Sequence, residues 1–333
     1  MDGAAYVPPG WLQNPHVQIV CGPLLRSRSL VAYRREILAT PDGDEILLDH
    51  VDAGPGSRPR LLVLHGLEGS SYSVYVQGLL SLAKARGWNG TAMNFRSCAR
   101  DPARLSRRIE NHTARLYHSG ETEDLDLAVE TIRRREPGGL LFAVGGSLGG
   151  NVLLKWLGER PGQRSVRAAA AISTPYDLLA CARNLESRLG RIYVSAFLRT
   201  LRPKALSVAW RFPEEGRRLD CARIAAARTF FEFDDAATAP LHGFAGAADY
   251  YSRSSSLSFL PRIRTETLCV STQDDPFLPA RIADAARAAS SPPVQFQVTR
   301  SGSHLGFLEG SSLWSLRSWA ESTVLRWLEE RIG

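Results

Sequence analysis

The run Val144-Gly145-Gly146-Ser147-Leu148-Gly149-Gly150 sets one serine between two glycines in a Gly-x-Ser-x-Gly spacing. Apolar residues precede it, and Asn151-Val152-Leu153-Leu154-Lys155-Trp156-Leu157 follows with helical character. A serine on a sharp strand-to-helix turn offers its hydroxyl at the edge of a sheet, beside free helix amides that favour negative charge. Glycines two before and two after it remove side chains that would strike neighbouring backbone. The chemistry this suits is attack by Ser147 on an acyl carbonyl. The same letters also fit a glycine-rich turn around a capping serine.

A serine hydroxyl is a weak nucleophile until a base takes its proton, and the base needs an acid to fix its tautomer. Of seven histidines, only His304, in Ser301-Gly302-Ser303-His304-Leu305-Gly306-Phe307, follows the last strand-like run. His16, His50, His65, His112 and His118 precede the serine, and His242 lies in a helical stretch where a structural role is expected. Two adjacent acids, Asp274 and Asp275, follow the preceding strand-like run, and Asp177 in Ser173-Thr174-Pro175-Tyr176-Asp177 is a third candidate. A tetrahedral oxyanion needs two backbone N–H donors. Leu148 after the serine would supply one, and Leu67 in His65-Gly66-Leu67-Glu68-Gly69-Ser70 the other, with His65 bracing that loop. This set calls for no metal or organic cofactor.

Such groups must be held by a sheet. Leu61 to Leu64, Gly90 to Phe95, Leu140 to Val144, Ala168 to Ser173, Thr267 to Ser271 and Val294 to Thr299 read as strands separated by helical stretches. That alternation predicts an α/β fold with a mostly parallel sheet and helices on both faces. Arg34 to Val51 predicts an antiparallel pair around Pro41-Asp42-Gly43-Asp44. The rhythm stops from Leu178 to Leu260, which predicts an inserted helical cap. Residues 1–177 and 261–333 would then form the core and 178–260 the cap. Leu316, Trp319, Ala320, Thr323, Val324, Trp327 and Leu328 predict an amphipathic terminal helix within Leu313 to Arg331.

The 333 residues carry a formal net charge of +7, but 38 of the 41 basic residues are Arg, spread along the chain. That spread fits a bias in residue usage better than a phosphate-binding surface, so nucleic acid is not an expected partner. Five scattered cysteines without CxxC or metal-ligand spacing suit reduced thiols. The N-terminus lacks the pattern of a signal peptide, and no run is long and apolar enough to span a bilayer. A soluble cytoplasmic protein is the expectation. In the cap, Leu185, Ile192, Tyr193, Phe197, Leu198 and Trp210 sit among Arg183, Arg188, Arg191, Arg199, Arg202 and Lys204. They read either as a lipid-facing lid in peripheral contact with a membrane or as an ordinary amphipathic cap.

Taken together, these pieces resemble the α/β-hydrolase superfamily. A narrower resemblance is to its YheT-type branch, which includes the eukaryotic ABHD lipid hydrolases. It rests on His65-Gly66-Leu67-Glu68-Gly69-Ser70-Ser71, Asn94-Phe95-Arg96-Ser97-Cys98 and Tyr117-His118-Ser119-Gly120-Glu121-Thr122-Glu123-Asp124. Trp11-Leu12-Gln13-Asn14-Pro15-His16-Val17-Gln18 and the stretch from Phe233-Asp234 to Thr238-Ala239-Pro240-Leu241-His242-Gly243-Phe244 carry it further, so it covers nearly the whole chain. Ser97 and Gly146 depart from the branch, which commonly has Gly at the first position and a larger residue at the second.

The resemblance implies the α/β-hydrolase fold and a catalytic set of Ser147, His304 and Asp275. Asp275 is preferred to Asp274 because it completes an Asp-x-x-x-Pro loop with Pro279. It also implies hydrolysis of short- to medium-chain acyl or lipid esters through an acyl-enzyme. An alcohol acyltransferase using the same intermediate and a non-catalytic binding protein on this fold are the competing readings. Arg96 and His118 to Glu121 are expected to brace loops.

Overall fold

The computed structural model describes residues 6–26, 31–54, 56, 58–312 and 315–333. Eight strands form one sheet: β1 (Arg34–Ala39), β2 (Glu45–Val51), β3 (Arg60–Leu64), β4 (Asn89–Asn94), β5 (Leu141–Gly146), β6 (Ala168–Ile172), β7 (Glu266–Thr272) and β8 (Val294–Thr299). Their spatial order is β1-β2-β4-β3-β5-β6-β7-β8. β2 runs antiparallel to β1 and β4, and every pairing from β4 to β8 is parallel. The β1–β2 turn closes at Gly43, whose φ of 79° suits glycine.

Among the described residues the helices of seven or more residues are α1 (Pro15–Leu25), α2 (Val74–Ala85), α3 (Glu123–Arg135), α4 (Leu148–Glu159), α5 (Leu178–Asn184), α6 (Gly190–Arg211), α7 (Ala247–Ser254), α8 (Ile282–Ala289) and α9 (Trp319–Glu329). Alternation along β3 shows why both faces are covered. Leu61 and Val63 join Val76, Leu79 and Leu80 of α2 and Val324, Leu325 and Leu328 of α9. Leu62 and Leu64 join Leu125 and Val129 of α3, Val152 and Leu153 of α4 and Ala286 of α8. Each such large side chain removed from water contributes roughly 1.5–3 kcal/mol. The sheet is therefore a rigid base whose carboxyl edge carries the loops.

Between β6 and β7 the described chain contains only helices and turns, including the 22-residue α6. Leu185, Val194, Leu198, Leu201, Val208, Ile224 and Phe233 give this segment an apolar cluster of its own. Asp234–Thr238 forms a π-helical turn inside it. The terminal helix is shorter than its pattern predicts. Arg317–Ser318 pairs with Leu308–Glu309 as a short ladder, and Ser318 caps α9 by accepting from the Glu321 N–H. The backbone is thus extended at Arg317–Ser318, and Leu313 lies outside the described residues. α1 and the hairpin of Arg100–Asp101 with Arg104–Arg108 are elements the sequence reading did not anticipate.

Among the described residues seven non-glycine residues have positive φ: Glu68, Ser97, Ser147, Ser173, Ser303, Leu305 and Phe307. All lie in loops just beyond the carboxyl ends of β3, β4, β5, β6 and β8. Conformations of this kind persist only where surrounding structure imposes them, and they gather at functional sites. Here they share the carboxyl edge of the sheet, where open α/β folds bind ligands.

Candidate active site

Ser147 sits between β5 and α4 with φ 53° and ψ −121°. Its two framing glycines are needed for space. A Cβ on Gly145 would stand 2.3 Å from the Gly149 carbonyl oxygen, and one on Gly149 would stand 2.6 Å from the carbonyl oxygens of Leu64 and His65. At Gly146 a Cβ would come within 2.7 Å of the Tyr75 ring. Tyr75 fills the space a side chain at Gly146 would need, and its hydroxyl accepts from the Gly66 N–H at 2.5 Å.

The structure brings Ser147 and His304 together: the Ser147 Oγ lies 2.9 Å from His304 Nε2. His304 Nδ1 lies 2.8 Å from Asp275 Oδ2, and the other Asp275 oxygen accepts from the Phe277 N–H at 2.8 Å. A carboxylate at Nδ1 holds the proton there, which leaves Nε2 free to accept from the serine. The Phe277 ring covers the imidazole with centroids 4.4 Å apart. Asp275 and His304 are both buried, so solvent competes little for their hydrogen bonds.

The two other acids face away. Asp274 Oδ1 accepts from the Thr272 hydroxyl at 2.8 Å and the Ser303 N–H at 3.0 Å, fastening the loop after β7 to the loop that carries His304. Asp177 caps α5 by accepting from the Ala180 N–H at 3.0 Å.

Leu67 and Leu148 line the same cavity as Ser147 and His304. Leu148 is the first residue of α4, so its N–H has no partner within the helix. Among the described residues neither its amide nor that of Leu67 meets a protein acceptor. The amides on either side of Leu67 are already held, Gly66 by Tyr75 and Glu68 by the Tyr117 hydroxyl at 2.8 Å. His65 braces this loop as expected: Nδ1 donates to the Gly66 carbonyl at 2.8 Å, and Nε2 accepts from the Phe95 N–H at 3.1 Å. Burial pushes its pKa down to about 4, so it stays neutral.

The next residue, Glu68, ties the loop to α6. Its carboxylate meets Lys204 of α6 at 2.6 Å, the Tyr117 hydroxyl at 2.9 Å and the Arg108 guanidinium. Burial alone would raise its pKa, but the two cations outweigh it and hold the carboxyl down at about 2. Sequence reasoning placed Lys204 in the cap without this role; its rarity among so many arginines was the available signal.

The cavity encloses about 270 Å³. Leu178, Leu185, Phe197, Phe230, Phe233 and Phe277 make most of its wall apolar. A few polar groups interrupt it. Asp234 accepts from the Thr238 hydroxyl at 2.5 Å and the Tyr251 hydroxyl at 2.7 Å, and burial without a cation pushes its pKa up to about 6. His242 is anchored between the carbonyls of Thr238 and Leu116, each 2.8 Å away. His118 and Ser119 line the cavity, whereas Glu121 takes Arg115 at 2.7 Å and the Glu123 N–H at the start of α3.

Arg96 is buried and structural, bidentate to Asp124 at 2.8 Å and paired to Asp42 at 2.8 Å. Ser97 sits at φ 57°, which explains why glycine is common there. Its N–H donates to Asn111 Oδ1, and its hydroxyl accepts from the Asn111 N–H at 3.1 Å. Among the described residues no group of three His, Cys, Asp or Glu is placed to hold a metal ion, and no helix is long and apolar enough to cross a membrane.

A family model described as "alpha/beta hydrolase fold" matches residues 59–311. The chain is 35% identical to "Putative esterase YheT" of Escherichia coli (strain K12), over 98% of this chain and 94% of that protein. It is 30% identical to "Phospholipase ABHD3" of Mus musculus, over 92% of this chain and 74% of that protein. Among solved structures, the Pyrococcus furiosus esterase Pf2001 superposes with a TM-score of 0.59 at 15% identity, covering 98% of this chain and 96% of that one, a likeness of fold. Sheet order, matched family and relatives matched over nearly all of this chain agree: the chain belongs to the alpha/beta hydrolase fold family, among its esterase- and lipase-type members.

Proposed function

We propose that the protein hydrolyses carboxylic esters with short- to medium-chain acyl groups, or the acyl esters of lipids, through an acyl-enzyme on Ser147. The observation that carries this reading is the chain of hydrogen bonds from Ser147 Oγ to His304 Nε2 and from His304 Nδ1 to Asp275, beneath a mostly apolar cavity. His304 takes the Ser147 proton as the hydroxyl oxygen bonds to the ester carbonyl carbon. Asp275 stabilises the imidazolium, and the N–H groups of Leu67 and Leu148 receive the oxyanion. The imidazolium then protonates the departing alcohol as the ester C–O bond breaks. Water, deprotonated by His304, attacks the acyl-enzyme, and the acid leaves as Ser147 regains its proton.

The division of labour in this reading is a core of residues 1–177 and 261–333 carrying the chemistry, with residues 178–260 as the cap that shapes the acyl site. Support for an acyl chain comes from Phe197, Phe230 and Phe233 of the cap on the cavity wall. The names esterase and phospholipase among the relatives point the same way. A series of p-nitrophenyl esters of graded acyl length, run in water and with added alcohol, tests the proposal. It expects free acid as the main product and a maximum at short to medium chains. Ester product dominating in dilute alcohol would overturn hydrolysis in favour of acyl transfer.

A further inference from the structure

The helix α1, Pro-His-Val-Gln-Ile-Val-Cys-Gly-Pro-Leu-Leu, has no charged side chain and is packed with its polarity reversed. Its buried residues are Gln18 and Gly22. The Gln18 amide donates to the Leu12 carbonyl at 2.9 Å, and its oxygen accepts from the Leu308 N–H at 3.2 Å. Val17, Val20, Leu24 and Leu25 face outward, with Val20 54% and Leu24 67% exposed. Trp11, in the turn before the helix, is exposed as well. Surface helices normally hide their apolar stripe, and a contiguous exposed one marks a contact with another molecule or phase.

The position and charge of this face indicate which. Pro15 accepts from the Ser303 hydroxyl at 2.6 Å, next to His304. His16 Nδ1 lies 2.7 Å from the Tyr193 hydroxyl of α6, and the Tyr193 ring lies 4.7 Å from Phe277, which covers His304. Beside Tyr193, Leu189 and Ile192 are exposed, Ile192 by 64%. Arg183, Arg188, Arg191 and Arg199 are exposed along the same stretch of chain, Arg188 directly before Leu189 and Arg191 directly before Ile192. Among the described residues none of the four is ion-paired to a carboxylate, although Arg191 donates to the Glu186 carbonyl at 3.0 Å and the Glu186 side chain is exposed nearby. An exposed apolar helix joined through His16 and Tyr193 to a stretch that carries unpaired cations complements a bilayer with anionic headgroups.

We propose that α1, with Leu189 and Ile192, is the surface by which this protein docks on an anionic lipid membrane, setting His304 and its cavity beside the bilayer. The docking rests on the proposed function only in supposing that the membrane supplies the ester. Flotation with phosphatidylcholine vesicles, with and without phosphatidylglycerol, tests it on the full chain beside the double variant Val20→Glu/Leu24→Glu. The wild type is expected to float with the anionic vesicles and roughly tenfold less at high salt or without phosphatidylglycerol. The double variant is expected to lose flotation while hydrolysing p-nitrophenyl butyrate at the wild-type rate.

A wild type that stays at the bottom of the gradient, or a double variant that floats equally well, overturns the proposal. A self-association by sedimentation velocity that the double variant abolishes also overturns it, by giving the face to a second copy. If the wild type floats but hydrolyses no butyrate, docking stands and the ester reading falls, so the two failures are distinct.

Discussion

Replacing Asp275 by Asn distinguishes the two adjacent acids, and the structure dictates how. Phe277 donates its N–H to one Asp275 oxygen, and His304 Nδ1 faces the other. In Asp275→Asn the amide oxygen must stay toward Phe277, because an NH2 group there would confront an N–H. The NH2 group then faces His304, which can only accept at Nδ1 and must carry its proton on Nε2. That nitrogen can no longer take the Ser147 proton. A wrong tautomer of this kind costs about 10⁴-fold in kcat, or about 5.5 kcal/mol at about 1.4 kcal/mol per factor of ten. Asp274→Asn keeps an acceptor oxygen for Thr272 and Ser303, so its kcat is expected to stay within roughly tenfold of wild type. Initial rates on p-nitrophenyl butyrate, with urea unfolding to verify folding, give the comparison. A folded Asp274→Asn that loses more activity than Asp275→Asn would refute this reasoning.

The Glu68–Lys204 pair should report on the tie between the loop after β3 and α6. Lys204→Met leaves a buried carboxylate with Arg108 and Tyr117 alone, so a loss of about 2–3 kcal/mol in urea unfolding is expected. Adding Glu68→Gln to Lys204→Met should recover part of it, and additive losses would show that the two groups are not coupled. Because the Glu68 pKa is depressed to about 2, its stabilisation is present above the unfolded value near 4.5 and is lost as pH falls toward 2. Glu68→Gln should therefore flatten that part of the stability curve, by up to about 3 kcal/mol. Asp234 has the opposite sign: raised to about 6, it costs stability as pH climbs from 3.8 through 6. Asp234→Asn should remove up to about 3 kcal/mol of that decline, and parallel melting curves for variant and wild type between those limits would contradict it. Gly149→Ala puts a methyl 2.6 Å from two carbonyl oxygens and is expected to give little folded protein, as circular dichroism would show.

Much of the candidate site's geometry was legible because each of its loops is local in sequence. The turn around Ser147 and the loops of Leu67 and His304 each follow a strand at fixed spacing, so the residue letters determine which groups reach the sheet edge. Choosing between Asp274 and Asp275 from letters required the family resemblance, since both follow the same strand. In three dimensions adjacent side chains on a turn point apart, one to His304 and one to the Ser303 amide. Phe277 over His304 and Lys204 on Glu68 join residues 27 and 136 positions apart, and nothing in the local sequence records such meetings. α1 escaped notice because its buried residues are Gln18 and Gly22, so it has no inward apolar stripe. α9 starts later than its pattern because Leu316 continues the apolar period across Arg317–Ser318, which a short ladder holds extended.

The account stands or falls on the Ser147 hydroxyl as nucleophile. A fluorophosphonate probe followed by peptide mass analysis tests this directly, with folded Ser147→Ala as the partner sample. The account predicts one adduct, on the peptide containing Ser147, and a fall of about 10⁶-fold in p-nitrophenyl butyrate hydrolysis for Ser147→Ala. An adduct on another residue, or a folded Ser147→Ala that retains activity near the wild-type level, would contradict it.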